Sequence, residues 1–250
     1  MRAAVRKVVG YLGAIAVMLV VWEVAALVLA SPALPGPASG VGQLVAQASV
    51  IWPQFIVSAW RVVASIVVGL VVGGPIGLLL GRARRADALF GPLVFLNYPI
   101  PKVVFFPILL VLLGIGDVSI IALISLIVFF QILVTARDAS KSIPSSSVLS
   151  VRSLGADSWQ VFRHVVVPAS MPEVFTALRI SAGTAVAVLF FAESVAGSTG
   201  LGYYVFDAWG RIAYGEMFAG ILAMAVLGVL LYEAIEFAER RVCRWAQAQR

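Results

Sequence analysis

The stretch SIPSSSVLSVRSLGADSWQVFRHVVVP occupies residues 142–168, between two long apolar runs. Ser142-Ile143-Pro144 supplies a helix cap and an early-helix proline. Ser145 to Leu154 then reads as a short helix with Val148, Leu149, Val151 and Leu154 available for one side. Gly155 sits where a left-handed residue closes a helix. Asp157 followed by Gln160 forms a capping box that opens a second short helix, running to about His164 and ended by Val165-Val166-Val167-Pro168. Ser170 with Glu173 is a further capping box, with Pro172 early in the helix it opens. Two short helices thus meet at a glycine hinge, exposing Val148, Leu149, Leu154, Trp159 and Phe162 beside Arg152 and Arg163. Two readings of this hairpin stand. It lies on the membrane surface with its basic side chains on phosphates, or it is a docking knob for a partner.

The membrane enters through composition. The 250 residues are 62% hydrophobic and 12% charged, with mean hydropathy +1.04. Soluble domains carry about 25% charged residues, so an ordinary soluble enzyme, a disordered chain and a nucleic-acid binder are excluded. Apolar runs of spanning length, about 20 residues, cover 8–30, 55–80, 88–113, 118–136, 173–195 and 217–237. The expectation is an all-α integral membrane protein of six transmembrane helices in a single domain, residues 1–250, with a cytoplasmic loop at 137–171. The first run is too long for a signal peptide and reads as a retained helix. Fourteen of the eighteen basic residues fall on one side if the N-terminus is inside. The positive-inside rule then puts both termini in the cytoplasm, and the net charge of +6 needs no nucleic acid. One cysteine, Cys243, and one histidine, His164, leave no catalytic constellation and no metal site.

Several residues inside the runs ask for partners. Gly69, Gly73, Gly77 and Gly81 recur every fourth residue, a groove for close helix approach, within the subunit or between two copies. Pro99, Pro101 and Pro107 cannot all sit in an unbroken helix, so a break is expected where Asn97, Tyr98 and Lys102 lie. Lys102 either lines a translocation path and attracts an anion, or neutralises Glu193. Glu23 and Arg61 are expected to pair in the outer half, with snorkelling of Arg61 as the simpler alternative. Gly200, Gly202 and Tyr203 belong to a glycine- and tyrosine-rich outer segment, an interfacial belt or an outer gate and binding-protein surface.

The loop also resembles a known family. Gly155, nine residues and then Val165-x-Val167-Pro168 is similar to the cytoplasmic-loop signature of ABC importer permeases. Leu34-Pro-Gly-Pro37, Ser58-x-x-Arg61, Pro99-Ile-Pro101, Gly114-Ile-Gly-Asp117, Arg152-Ser-Leu-Gly-Ala156, Ala177-Leu-Arg-Ile180, Ala192-Glu193 and Gly200-Leu-Gly-Tyr203 resemble the subgroup importing aliphatic sulfonates, taurine and nitrate. Each fragment is short; eight in this order carry the resemblance. Leu149-Ser150-Val151 replaces the usual Glu-Ala-Ala, and Lys102 follows the Pro-Ile-Pro motif where the subgroup has an uncharged residue.

The resemblance implies a type I importer permease fold, a homodimer, and two cytoplasmic ATPases docked on Leu149, Arg152, Ser153, Leu154, Gly155, Ala156 and Pro168. It further implies an extracytoplasmic binding protein, ATP and Mg on the ATPase alone, and a place in the bacterial cytoplasmic membrane among its lipids. The chain itself carries no phosphate-binding loop. The solute is expected to be small and anionic, sulfonate, taurine or nitrate-like. An ATP-independent channel or secondary transporter is the alternative.

Overall fold

The structure, a computed structural model, describes the backbone of residues 2–247 and the side chains of residues 10 and 13–245. No strand occurs among the described residues. The helices are α1 (Arg2–Leu29), α2 (Pro37–Ala46), α3 (Ala48–Arg82), α4 (Arg84–Asn97), α5 (Phe106–Leu113), α6 (Asp117–Ser142), α7 (Ser145–Ser153), α8 (Ser158–Val161), α9 (Val167–Ala196), α10 (Leu201–Gly210), α11 (Tyr214–Val242) and α12 (Arg244–Gln247). A 3-10 turn over Lys102–Phe105 precedes α5, and a π-helical turn over Phe162–Val166 joins α8 to α9.

The fold is built around α6. Ile120, Leu123, Ile124, Val128 and Ile132 on this helix are all 0% exposed. Against one side lies α3, whose glycines let the two backbones meet: a Cβ at Gly73 would stand 2.7 Å from the Phe129 carbonyl, and one at Gly81 would overlap that of Arg137. The glycine ladder is therefore used inside the subunit. Against the other side lies α9, through the small residues Ala182, Ala185 and Ala192 and the buried Leu189. α11 closes the bundle with Ala219, Ala223 and Leu227.

Four helices among the described residues are long and apolar enough to cross a membrane, five if one bent pair counts as a span. That pair fills the run expected over 88–113 and carries the break expected there: Arg84–Asn97 and Lys102–Leu113 meet at 84°. Pro99 and Pro101 lack the N–H that would continue the ladder. The expected first run, 8–30, falls in α1, but the side chains of residues 8, 9, 11 and 12 lie outside the described residues; the remainder, Gly13–Leu29, is shorter than the other spans.

Two segments between the long apolar runs, where no helix was expected, are helical. Gly36 precedes α2, Pro37 occupies its first turn, and α2 packs on α11. α10 buries Leu201, Tyr204, Val205 and Ala208 against α9 and α11. Neither helix is long enough to be stable alone; tertiary packing supports both.

Candidate functional site

Two places carry the expected site residues: the hairpin between α6 and α9, and the opposite end of the bundle, where ends of α3, α6, α9 and α10 meet. In the hairpin, α7 closes with a complete Schellman turn. Gly155 takes φ +87°, its N–H donates to the Arg152 carbonyl at 2.9 Å, and the Ala156 N–H donates to the Val151 carbonyl at 3.4 Å. The capping box follows as expected: the Gln160 N–H donates to Asp157 Oδ1 at 2.8 Å, and the Asp157 N–H to Gln160 Oε1 at 2.9 Å.

Val148, expected on the exposed side, is instead 6% exposed; with Val161 and Val166 it anchors the hairpin onto Leu78 of α3, Ala136 of α6 and Val174 of α9. Phe162 is half-buried and stacks on Trp159, ring centroids 5.8 Å apart. Leu149, Leu154 and Trp159 stay exposed, Leu154 at 87%. Arg152 and Trp159, with Arg82, line a cavity of about 400 Å3 beside them.

The second short helix does not stop at Val165–Pro168. Ser158 to Ala196 is one helix of 39 residues. Pro168 falls in the first turn after the π-helical stretch, where the widened ladder absorbs its missing N–H. Ser170 therefore caps nothing: it is buried mid-helix and its hydroxyl has no partner among the described residues. Pro172 also lies inside α9. Gly155 is thus followed by a single helix that reaches the opposite end of the bundle.

At that far end Glu193 is 0% exposed. Its carboxylate accepts from Arg61 Nη1 at 2.8 Å, from the Gly202 N–H at 2.8 Å and from the Ser58 hydroxyl, 2.8 and 2.9 Å from its two oxygens. Ser58 Oγ in turn accepts the Leu201 N–H at 2.8 Å, and Gln54 Oε1 accepts the Gly200 N–H at 2.6 Å. Three consecutive N–H groups at the start of α10 are therefore received by three side chains. Arg61 also donates to Asp117 Oδ1 from Nε (2.9 Å) and Nη2 (2.6 Å), to the Thr199 carbonyl (2.7 Å) and to Thr199 Oγ1 (3.0 Å).

This network corrects two expected pairs. Arg61 is joined to Glu193 and Asp117 rather than to Glu23, and it is 3% exposed rather than snorkelling. Glu23 lies beside Gly36, where a Cβ would be 3.0 Å from its Oε2. The cation facing Glu193 is Arg61, not Lys102. Gly200, at φ +107°, and Gly202 both sit in this network; a Cβ at Gly200 would overlap the Glu193 carboxyl. Tyr203, on the adjoining turn of α10, is 37% exposed. Asp117 and Ser58 stood in the quoted motifs, but the sequence offered no sign that they meet Arg61 and Glu193.

Lys102, Asn97 and Tyr98 come together elsewhere, at the break between α4 and α5. The Lys102 ammonium donates to the carbonyls of Asn97, Tyr98 (3.3 Å) and Ile100 (2.9 Å) and lies 4.6 Å from the Phe130 ring centroid. The side chains of Asn97 and Tyr98 are exposed. Neither place holds a cluster of His, Cys, Asp or Glu suited to a metal among the described residues.

Comparison with known proteins agrees with this architecture. Residues 66–244 match the family described as binding-protein-dependent transport system inner membrane component. The chain is 31% identical over 249 residues to the taurine transport system permease protein TauC of Escherichia coli, covering 96% of this chain and 90% of that one. It is 28% identical to the putative aliphatic sulfonates transport permease protein SsuC of Bacillus subtilis, over 76% of this chain and 68% of that one. A chain of the MetNI methionine ABC transporter, in an inward facing conformation, superposes with TM-score 0.66 at 20% identity, covering 78% of this chain and 97% of that one. That likeness is one of fold. By the family match over residues 66–244 and 31% identity across nearly its whole length to a permease, the chain belongs to the family of binding-protein-dependent transport system inner membrane components, and is a transport permease rather than an enzyme.

Proposed function

We propose that two copies of this chain form the path by which a small organic anion of sulfonate type enters the cell, driven by two cytoplasmic ATPases and supplied by an extracytoplasmic binding protein. The anion reading rests on the relatives named for taurine and aliphatic sulfonates, since the Lys102 ammonium is already engaged by carbonyls. ATP and Mg belong to the ATPases. α1 and the bent pair complete a count of six spans, and the distribution of basic residues puts both termini in the cytoplasm. The path runs past the break, where Asn97 and Tyr98 are exposed. Gly200, Gly202 and Tyr203 form the outer gate, with Glu193 holding it rather than touching solute.

One observation carries the coupling role: the apolar knob of Leu149 and Leu154 stands exposed on a turn that is otherwise fully satisfied and anchored. A knob seated in an ATPase groove buries Leu149, Leu154 and the flanking Arg152, Ser153 and Ala156. Closure of the ATPases then moves the turn at Gly155, and the helix through Pro168 carries the displacement outward. The work comes from the difference in ATP affinity between the two states.

The test is a pull-down from detergent through a C-terminal tag. The wild type is expected to retain an ATPase. Leu154→Asp changes a side chain 87% exposed, so the variant should fold as wild type yet lose at least ~90% of the ATPase, the cost of a buried lone carboxylate. Gly155→Pro, which cannot reach φ +87°, should lose it too. Retention by Leu154→Asp refutes the knob. Solute movement by the purified chain alone in liposomes refutes the ATP-driven reading in favour of a passive transporter.

A further inference from the structure

α4 ends at Asn97, and the last carbonyls of a helix have no partner within it. Here the next turn supplies only a 3-10-type donor, the Ile100 N–H to the Asn97 carbonyl at 3.2 Å, and no i+4 donor at two of the positions. Pro101 stands four residues after Asn97 and Pro99 four after Phe95, and neither has an N–H to give. The chain turns through 84° and carries Lys102 back over the gap. Its ammonium has three N–H donors, and three carbonyls receive them: Asn97, Tyr98 (3.3 Å) and Ile100 (2.9 Å). The Phe130 ring of α6, 4.6 Å away at its centroid, closes the fourth side. The partial negative charge at the end of α4 adds to the attraction. Lys102 is 7% exposed. Every donor is spent, and none is left for a solute.

We infer that the break contains a primary-ammonium site, built from three carbonyls and one aromatic face, whose occupant is the side chain of Lys102. The tethered cation fixes the angle between α4 and α5. Lys102 is therefore a positioning residue of the broken span. The same set of acceptors would take a free alkylammonium ion once the lysine is shortened. Only the transport arm of the test rests on the importer reading.

The test uses the full chain in lipid nanodiscs, with spin labels at Leu93 of α4 and Val111 of α5, both exposed. Wild type is expected to give one narrow label distance. Lys102→Ala is expected to give a broad distribution that n-propylammonium, the fragment removed, narrows again. Tetramethylammonium, which has no N–H, should leave it broad. In proteoliposomes with the ATPase, Lys102→Ala should lower kcat about tenfold, about 1.4 kcal/mol in barrier, with KM unchanged and with recovery by n-propylammonium. If Lys102→Ala does not fold, Lys102→Met, which keeps the stem without the donors, is read through the same labels. A narrow distance in either variant overturns the inference. So does a raised KM with the label distance unchanged, or rescue by tetramethylammonium. Absence of wild-type transport would refute the importer reading while the label distances still decide the site.

Discussion

Arg61→Met is expected to destabilise the protein by about 3–5 kcal/mol, the cost of leaving one member of a buried ion pair without its partner. Glu193 is 0% exposed and Arg61 3%. With the guanidinium gone, the carboxylate keeps only the Ser58 hydroxyl and the Gly202 N–H. Asp117 and Thr199 lose their donor as well, so four segments come apart at one residue: α3, the start of α6, the end of α9 and the turn into α10. Thermal unfolding of the detergent-solubilised chain measures the loss. Arg61→Met combined with Glu193→Gln is expected to recover at least half of it, because the buried charge is then gone and the amide still meets Ser58 and Gly202. Asp117→Asn should cost about 1 kcal/mol or less, since the Asp117 side chain is 53% exposed and water screens it. Strict additivity of the Arg61 and Glu193 changes would refute the pairing.

The same network bears on transport. Glu193 is near the far end of the helix that starts at Ser158, three residues beyond the Gly155 turn. In the proposed coupling, a displacement at the Gly155 turn reaches the other end of the bundle only if that helix moves as a unit and its far end is tied to α3 and α10. Arg61→Met/Glu193→Gln therefore separates fold from coupling: it should fold, and it should hydrolyse ATP with its ATPases while moving less solute per ATP.

What the sequence made legible was local. The Schellman turn at Gly155 and the capping box at Asp157 are set by residues within a few positions of each other, and both appear as read. The break at Pro99–Pro101 is likewise a property of the backbone at those residues. The partner of Glu193 was not legible. Hydropathy and span length fix how deep a residue lies, not which way it faces around its helix, so Lys102 stood on the same footing as Arg61 toward Glu193, and Glu23 looked a fit partner for Arg61. The continuity of α9 was hidden for another reason: Pro168 looks like a helix stop and Pro172 like the start of the next helix, and the π-helical turn that accommodates the first has no sequence signature of its own. α2 and α10 were missed because short helices owe their existence to neighbours distant in the chain.

Gly77→Leu is expected to abolish folding, and Gly77→Ala to cost a net ~2 kcal/mol. A Cβ at Gly77 would overlap the Leu133 carbonyl and stand 2.9 Å from the Ala136 Cβ and 3.1 Å from the Arg137 N–H nitrogen. These are backbone and Cβ atoms of α6. No rotamer relieves the contact; the two helices must separate along their shared length. Overpacking of this kind costs ~1–3 kcal/mol or more, against which alanine regains ~1 kcal/mol of helix propensity over glycine. Gly74 is the control on the same helix. A Cβ there meets only the Leu70 Cδ1 at 3.7 Å, an ordinary contact, so Gly74→Ala should be neutral or stabilising by up to ~1 kcal/mol. The pair of variants also separates the two uses of a glycine ladder. If the ladder served contact between two permease copies, Gly77→Ala would leave the monomer's unfolding temperature unchanged and weaken only crosslinking between copies. Because the α3 glycines meet α6 of their own chain, the monomer's unfolding temperature should fall for Gly77→Ala and hold for Gly74→Ala. Equal behaviour of the two variants would show that the α3–α6 approach is not what the ladder provides.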